Sequence, residues 1–156
     1  MKKLVVIGAG GYAKSVLDSV NRAYYRVQGF IDERLDKTEH LGYPVLAHSL
    51  DTLPEREAYC YFIAIGNNEK RKKWYTWLKE RRLPLITVVD PSAMVSPQAE
   101  LGEGCFVGKL AIVNSCAHIG NDCIINTRAL VEHGCTVHDL SLIHISEPTR
   151  RSYISY

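Results

Sequence analysis

The sequence carries almost no excess of charge of either sign. Nineteen lysines and arginines stand against seventeen aspartates and glutamates, which leaves a formal net charge of +2 over 156 residues. A protein that binds nucleic acid presents a strongly basic surface to the phosphate backbone, and this balance does not supply one. We therefore expect no nucleic-acid partner.

Long apolar runs are also missing. The opening, MKKLVVIGAGG, joins two lysines to an apolar run, but the run is too short for a signal peptide and breaks into glycine without a cleavage site. No other segment approaches the length of a membrane span. We expect a cytoplasmic protein with no membrane partner.

The cysteines lack any C-x-x-C pair, and their number is odd. Both facts, together with the missing secretory signal, argue against a disulfide framework. We expect free thiols at all five positions, which are Cys60, Cys105, Cys116, Cys123 and Cys135.

The first half of the chain predicts a parallel α/β unit. The run LVVI suits a strand that is buried on both faces. Gly8, Gly10 and Ala13 then fit the G-x-G-x-x-G/A spacing, which places a tight turn before a helix so that backbone amides can meet a phosphate. The second strand, RVQGFID, ends in Asp32, about twenty residues further on, where an acid that binds ribose would lie. The alternative is a turn that serves packing alone, with Asp32 as its cap.

The remainder of this half predicts further elements of the same unit. YPVLAHSLDTL predicts a short strand and a short helix, AYCYFIAIGN a buried strand that ends at Gly66, and NEKRKKWYTWLKERR a basic helix capped near Asn67 or Asn68. We interpret the four basic residues at 70–73 as a solvated helix face, with the alternative that one of them reaches a phosphate. Gly66 and Asn67 follow a strand end, where ligands collect in parallel sheets.

A period of six residues takes over from Val89. An aliphatic residue recurs at every sixth position, and a small residue follows it four positions later, through nine consecutive hexads. This period predicts a three-sided solenoid whose aliphatic side chains point inward and whose small residues fit the corners. Three hexads make one coil, so we expect about three coils. The aliphatic positions are Val89, Val95, Leu101, Val107, Val113, Ile119, Ile125, Val131 and Val137.

The same register gives three cysteines a role. Cys105, Cys123 and Cys135 occupy the small position, which makes them packing residues rather than nucleophiles or metal ligands. Cys116 falls outside that position and has no explanation in the repeat.

These motifs together resemble the bacterial nucleotide-sugar and sialic-acid acetyltransferases of the left-handed β-helix superfamily. The motifs are VVIGAGGYAK, GFID, IAIGNN and NTRALVEHGCTVHD, and the resemblance extends over about residues 3–141. It implies an α/β protein with a Rossmann-like nucleotide-sugar-binding domain over 1–88 and a left-handed parallel β-helix over 89–142. It further implies a homotrimer, a nucleotide sugar (a UDP-sugar foremost) or sialic acid as acceptor, acetyl-CoA as donor between neighbouring β-helices, and no metal.

The resemblance also implies the site residues. His133 would act as the general base, because a neutral imidazole can take a proton from a sugar amino or hydroxyl group as that group attacks the thioester. Glu132 beside it is the second catalytic candidate. Since His133 lies two residues after the inward position 131, its side chain should project from the coil surface. The implied substrate-binding residues are Gly8, Gly10, Gly11, Tyr12, Asp32, Gly66, Asn67 and Asn126.

Two departures from the family pattern stand beside the base and in the turn. Family members often carry a carboxylate directly after the base, where this chain has Gly134. The glycine turn commonly carries a histidine where this chain has Tyr12.

The repeat stops near the end of the chain. Its next small position would hold Glu147, and burying that carboxylate unpaired would cost several kcal/mol. The closing residues, SLIHISEPTRRSYISY, also resemble the translation of a sequencing-adapter fragment. We expect residues 143–156 to be a foreign tail, the β-helix to be truncated, and the chain to be an incomplete fragment that turns over weakly or not at all.

Three alternatives stay open. The first is a metal-dependent enzyme of the same β-helix type, similar to a carbonic anhydrase. His133 and His138 have the separation of two zinc ligands in that class, but no third histidine lies two coils earlier. A non-catalytic nucleotide-sugar-binding protein is another. The third is an NAD-dependent oxidoreductase, which rests on the glycine turn alone.

Overall fold

The computed structural model describes residues 1–144, which form two compact units, Met1–Ile86 and a second one that begins at Thr87. Of the predicted foreign tail, 143–156, all but the first two residues lie outside the described part of the chain. Within residues 1–144, no helix combines the length and apolar content that a membrane crossing requires.

The first unit is built on a five-stranded sheet. Its strand order is β3-β4-β2-β1-β5, with only β3 antiparallel to its neighbour. The strands are β1 (Lys2–Ile7), β2 (Tyr25–Ile31), β3 (Glu39–His40), β4 (Tyr43–Ala47) and β5 (Cys60–Ile63). Helix α1 (Tyr12–Ser19) follows β1, and helix α2 (Asn68–Glu80) follows β5.

Strand β1 is an interior strand of the sheet. Its run from Leu4 to Ile7 is fully buried, because β2 and β5 flank it on both edges and apolar side chains cover it on both faces. This confirms the strand that the sequence predicts.

The prediction of a short helix after β4 is wrong. Residues 48–53 form turns, and the next helical residues are a single 3-10 turn at Arg56–Ala58. The Ser49 hydroxyl accepts a hydrogen bond from the backbone N–H of Thr52 at 3.2 Å. Such local side-chain bonds compete with the helical backbone pattern and favour a turn.

The second unit is a three-sided coil of two-residue strands. Each strand pairs in parallel with the strand eighteen residues later, as Ile112 does with Leu130, so three hexads make one circuit. This confirms the six-residue repeat. The strands are β6 (Val88–Val89), β7 (Met94–Val95), β8 (Glu100–Leu101), β9 (Phe106–Val107), β10 (Ile112–Val113), β11 (His118–Ile119), β12 (Ile124–Ile125), β13 (Leu130–Val131), β14 (Thr136–Val137) and β15 (Leu142–Ile143). They form three sheets, β13-β10-β7, β14-β11-β8 and β15-β12-β9-β6.

The interior of the coil holds both sets of repeat residues. The aliphatic residues from Val107 to Val137 are at most 3% exposed, and Val89, Val95 and Leu101 pack against them partly buried. The inward aliphatic column continues to Ile143, which is 5% exposed.

The three cysteines at small positions are buried, as predicted. The Cys105 thiol donates to the carbonyl oxygen of Gly120 at 3.0 Å, and the Cys123 thiol to that of His138 at 3.0 Å. A hydrogen bond with Cys123 and burial both raise the pKa of Cys105. Such a thiol is a poor nucleophile, which agrees with a packing role.

A third column explains Cys116. The residue before each small position has a positive φ at seven successive corners, and these residues are Gly104, Leu110, Cys116, Asp122, Arg128, Gly134 and Leu140. Cys116 is thus the exposed left-handed residue of its corner, with φ of 60°. Only two of the seven are glycines, so the sequence pattern does not reveal this column.

Candidate active site

The turn between β1 and α1 needs a glycine at its first position. Gly8 has φ of +99°, and a Cβ there would lie 2.8 Å from the carbonyl oxygen of Ala64 and 2.8 Å from Ile65 Cγ1. Its N–H donates to Ile31 at 2.7 Å. Gly8 therefore serves close packing of three strand ends.

The other two glycines of the turn have no such packing reason. A Cβ on Gly10 or on Gly11 would meet nothing within 4 Å. Helix α1 begins directly after Gly11, which has no side chain to cap the first-turn N–H groups. Open space beside a helix start that no side chain caps is the arrangement that accepts an anion.

That open space belongs to a cavity of about 440 Å³ at the carboxyl ends of the strands. The turn and the end of β2 form one side, and Gly66, Lys70 and Trp74 line the other. The cavity brings together six of the predicted substrate-binding residues, which are Gly8, Gly10, Gly11, Tyr12, Asp32 and Gly66.

Asp32 braces this turn from the end of β2. Its Oδ2 accepts a hydrogen bond from the Ala9 N–H at 2.8 Å, and its Oδ1 accepts from the Arg34 N–H and Nε at 2.9 Å each. Burial alone would raise the pKa of Asp32, but the hydrogen bonds from Arg34 and Ala9 outweigh it and hold the pKa well below its ordinary value. The carboxylate is therefore ionised and committed to the protein.

Arg34 is the cavity residue that the sequence reasoning missed. Its guanidinium also donates from Nη2 to Asp32 at 3.0 Å and to the Ala9 carbonyl at 2.7 Å, and it lines the cavity with 54% of its side chain exposed. The signal in the sequence was the D-x-R spacing at a strand end, which allows an arginine to fold back onto the aspartate.

Two histidines support the same loops. His40 Nε2 donates to the carbonyl oxygen of Gly10 at 2.9 Å, and His48 Nδ1 donates to that of Asp32 at 2.8 Å. Since a carbonyl can only accept, each contact assigns the proton to that ring nitrogen.

The loop after β5 is held by the first turn of α2. Asn67 caps the helix, as predicted, because its side-chain oxygen accepts from the Lys70 N–H at 2.9 Å. The interpretation of residues 70–73 as a solvated face is wrong for Arg71, which is fully buried. Its guanidinium donates to the carbonyl oxygen of Gly66 at 2.9 Å and to Asn68 Oδ1 at 2.7 Å, so it fixes the loop.

His133 lies at the corner after β13 and is exposed, as the register predicts. The neighbouring Glu132 carboxylate turns away along the coil and accepts from Asn114 Nδ2 at 3.4 Å. Gly134 has φ of +67°, and its N–H donates to the carbonyl oxygen of Ser115 at 3.0 Å. The imidazole thus projects from a corner whose backbone is hydrogen-bonded to the preceding coil.

Asn126 stands at a different corner from His133, because it follows β12 rather than β13. Its Nδ2 donates to His144 Nδ1 at 3.1 Å. Across residues 1–144, no group of three or more His, Cys, Asp and Glu side chains is arranged to hold a metal ion.

Comparison with known proteins places these features in context. Residues 3–78 match the family model described as the PglD N-terminal domain. Over 114 residues the chain is 33% identical to the UDP-N-acetylbacillosamine N-acetyltransferase of Bacillus subtilis (strain 168), a stretch that covers 69% of this chain. The same stretch covers 51% of that protein, so the chain spans about half the length of this curated relative.

Solved structures resemble both units. The acetyltransferase domain of PglB from Neisseria gonorrhoeae FA1090, in complex with acetyl coenzyme A, matches with a TM-score of 0.82 at 30% identity and covers 90% of this chain and 69% of its own. PerB from Caulobacter crescentus, in complex with CoA and GDP-perosamine, matches with a TM-score of 0.78 at 32% identity and covers 91% and 68%. Sequence and structure agree that the chain belongs to the nucleotide-sugar acetyltransferase family.

Proposed function

We propose that this chain takes part in transfer of an acetyl group from acetyl-CoA to the amino group of a nucleotide-linked sugar, with a UDP-sugar as the favoured acceptor. In this proposal a Rossmann-like domain over 1–88 binds the nucleotide sugar, and a left-handed β-helix of about three coils over 89–142 presents the base. The observation that carries it is the cavity beside Gly10 and Gly11, which offers open space to a phosphate at a helix start that no Gly11 side chain caps.

His133 supplies the acid–base chemistry in this proposal. The sugar nitrogen attacks the thioester carbonyl, and the neutral imidazole takes the proton that the nitrogen loses. The new C–N bond forms as the C–S bond breaks, and the departing thiolate takes up a proton. Exposure of His133 at a corner supports the role, because both reactants must reach the imidazole from outside the coil.

Self-association would bring a second copy next to this imidazole. The sheet that ends at the His133 corner carries an outward apolar column of Met94, Ile112 and Leu130. Met94 is 69% exposed and Ile112 is 37% exposed. Exposed apolar columns of this kind favour contact with another surface. We propose a homotrimer, which sedimentation would detect as three times the 17.6 kDa chain mass.

Acetyl transfer, measured as release of the CoA thiol with UDP-amino sugar as acceptor, tests the base. We expect His133→Ala to lower the rate by about 100-fold or more. His138→Ala is the matched control, because His138 is also an exposed coil histidine, and it should leave the rate unchanged. Equal rates for wild type and His133→Ala would remove His133 from the mechanism.

Binding is measured separately, because the sequence predicts weak turnover by this chain alone. Calorimetry with a UDP-sugar, acetyl-CoA and NAD should show binding of the first two. NAD binding without nucleotide-sugar binding would overturn the proposal in favour of an oxidoreductase. Stoichiometric zinc in the purified protein would favour the carbonic-anhydrase-like alternative, and nucleotide-sugar binding without transfer would favour the non-catalytic one.

A further inference from the structure

We infer that Arg34, held in place by Asp32, is the side chain through which this cavity contacts the diphosphate of its nucleotide ligand. The inference rests on the proposed function and deepens it. It also reassigns Asp32, which the sequence motif places on the ribose, as the positioning residue for Arg34.

The Asp32 carboxylate has no acceptor capacity left for a ribose hydroxyl. A carboxylate offers about four lone-pair directions. Four donors occupy them, namely the Ala9 N–H and three groups of Arg34, its N–H, Nε and Nη2, at 2.8 to 3.0 Å. The side chain is only 9% exposed. A hydroxyl could bind Asp32 only after one of these bonds broke.

The Arg34 guanidinium, in contrast, keeps free donors on its open side. Arginine carries five N–H donors in a planar fork. Nε and Nη2 use three of them on Asp32 and on the Ala9 carbonyl. Among residues 1–144, Nη1 has no hydrogen-bond partner, so two adjacent N–H groups remain. These two N–H groups diverge from one nitrogen, so each can donate a charge-assisted hydrogen bond to a phosphate oxygen.

The location of this fork fits a phosphate at the glycine turn. Nη2 lies 2.7 Å from the carbonyl oxygen of Ala9, one residue before Gly10, so the cation borders the open space beside the turn. Lys70 lines the same cavity and adds a second positive charge, while Glu33 adds one negative charge.

Pairing also removes an electrostatic conflict. An ionised Asp32 alone would repel a diphosphate from the turn, because like charges at short range in a half-buried site oppose each other strongly. The ion pair with Arg34 neutralises that carboxylate, and the guanidinium, with 54% of its side chain exposed against 9% for Asp32, is the more accessible member of the pair.

The test is calorimetric titration of UDP and of uridine into wild type and variants. We expect Arg34→Gln to weaken UDP binding by about 10- to 100-fold, as loss of a charged hydrogen-bond donor does, and to leave uridine binding unchanged. Arg34→Lys keeps the positive charge but loses the planar guanidinium. Its UDP affinity should lie between those of wild type and Arg34→Gln. Arg26→Gln removes an exposed arginine from β2, the strand that precedes Arg34, and it should leave both affinities unchanged.

Asp32→Asn separates positioning from direct contact. If Asp32 acts through Arg34, the double variant Asp32→Asn with Arg34→Gln binds UDP no more weakly than Arg34→Gln alone. If Asp32 binds ribose, Asp32→Asn loses the ability to discriminate UDP from 2′-deoxy-UDP, and the inference is wrong.

The outcomes distinguish this inference from the proposed function. If wild type, Arg34→Gln and Arg34→Lys all bind UDP with the same affinity, the inferred role of Arg34 is wrong while the proposed function stands. No binding of UDP or of a UDP-sugar by folded wild type would overturn the proposed function and this inference together. Circular dichroism of each variant verifies that it is folded.

Discussion

The two units of this protein assign roles to side chains in different ways. In the coil, one register decides which aliphatic side chains point inward, so that Ile125 is buried because it occupies an aliphatic position of the repeat. In the first unit each role follows from a single contact. Gly8 and Gly10 stand two residues apart in one motif, yet Gly8 serves packing and Gly10 borders open space.

This difference teaches where sequence patterns carry information about function. The repeat makes the fold of the coil predictable from the sequence. It says little about catalytic or binding residues, because most of its positions serve packing. An unrepeated motif marks a site, but which atoms remain available for a ligand depends on contacts that form between distant residues. Substitutions in each unit can distinguish the two kinds of role.

The register predicts the strongest effect inside the coil. Ile125→Ala should lower the free energy of unfolding by about 2–5 kcal/mol, because it removes a fully buried side chain from a stacked core. Leu110→Ala also removes an aliphatic side chain, but from a corner position that is 60% exposed. It should cost less than about 1 kcal/mol in the same urea titration. Equal costs would contradict the inward and outward assignment.

The single-contact rule predicts a cost at the glycine turn. Gly8→Ala should destabilise the protein by about 2–4 kcal/mol, because an added Cβ meets the Ala64 carbonyl oxygen and the backbone has φ of +99°. Gly11→Ala, where the added Cβ meets nothing within 4 Å, is the matched control and should be close to neutral. Thermal or urea unfolding of the pair measures the contrast, and similar stabilities would mean that the turn tolerates side chains throughout.

Much of the fold could be predicted because its signals are local and repeated. The six-residue period predicted which side chains of the coil point inward, and the run LVVI predicted a buried interior strand of the sheet. The corner column escaped prediction because Leu110, Cys116 and Arg128 share a backbone conformation but no chemical property. The helix expected after β4 failed because Ser49 bonds to the backbone locally.

The candidate site was predictable only in outline. The glycine spacing located the cavity, since its residues are consecutive in the chain. The D-x-R spacing allows Arg34 to fold back onto the Asp32 carboxylate but does not by itself predict that contact. The burial of Arg71 against the Gly66 carbonyl has no signal in the spacing. A basic residue in a basic run looks solvated until the loop that it supports is known.

The bonds to Asp32 predict a dependence of stability on pH. Because the pKa of Asp32 is lowered in the folded protein, its stabilisation is complete above its ordinary pKa of about 3.9 and is lost as the pH falls towards the lowered value. We expect the free energy of unfolding of wild type to exceed that of Asp32→Asn by about 2 kcal/mol at pH 7. This difference should shrink below about pH 4. Urea titrations at several pH values measure it. A gap that is constant down to pH 2 would contradict the assigned hydrogen bonds.

The smallest expected effect concerns the corner beside the base. Gly134→Ala should cost about 1 kcal/mol, because the corner has φ of +67° while an added Cβ would meet nothing within 4 Å. Gly134→Asn should cost less, since asparagine tolerates this conformation better than alanine. Urea unfolding compares the three proteins. A cost of several kcal/mol for either variant would mean that the corner is closed to side chains.

The central claim is that the open space beside Gly10 exists for a nucleotide sugar rather than for packing. Calorimetric titration of a UDP-sugar into wild type and Gly10→Val tests it most directly, because an added side chain would fill space that the protein itself leaves empty. The account predicts that Gly10→Val stays folded, within about 1 kcal/mol of wild type, and loses at least about tenfold in affinity. A folded Gly10→Val variant that binds the UDP-sugar as tightly as wild type would contradict it.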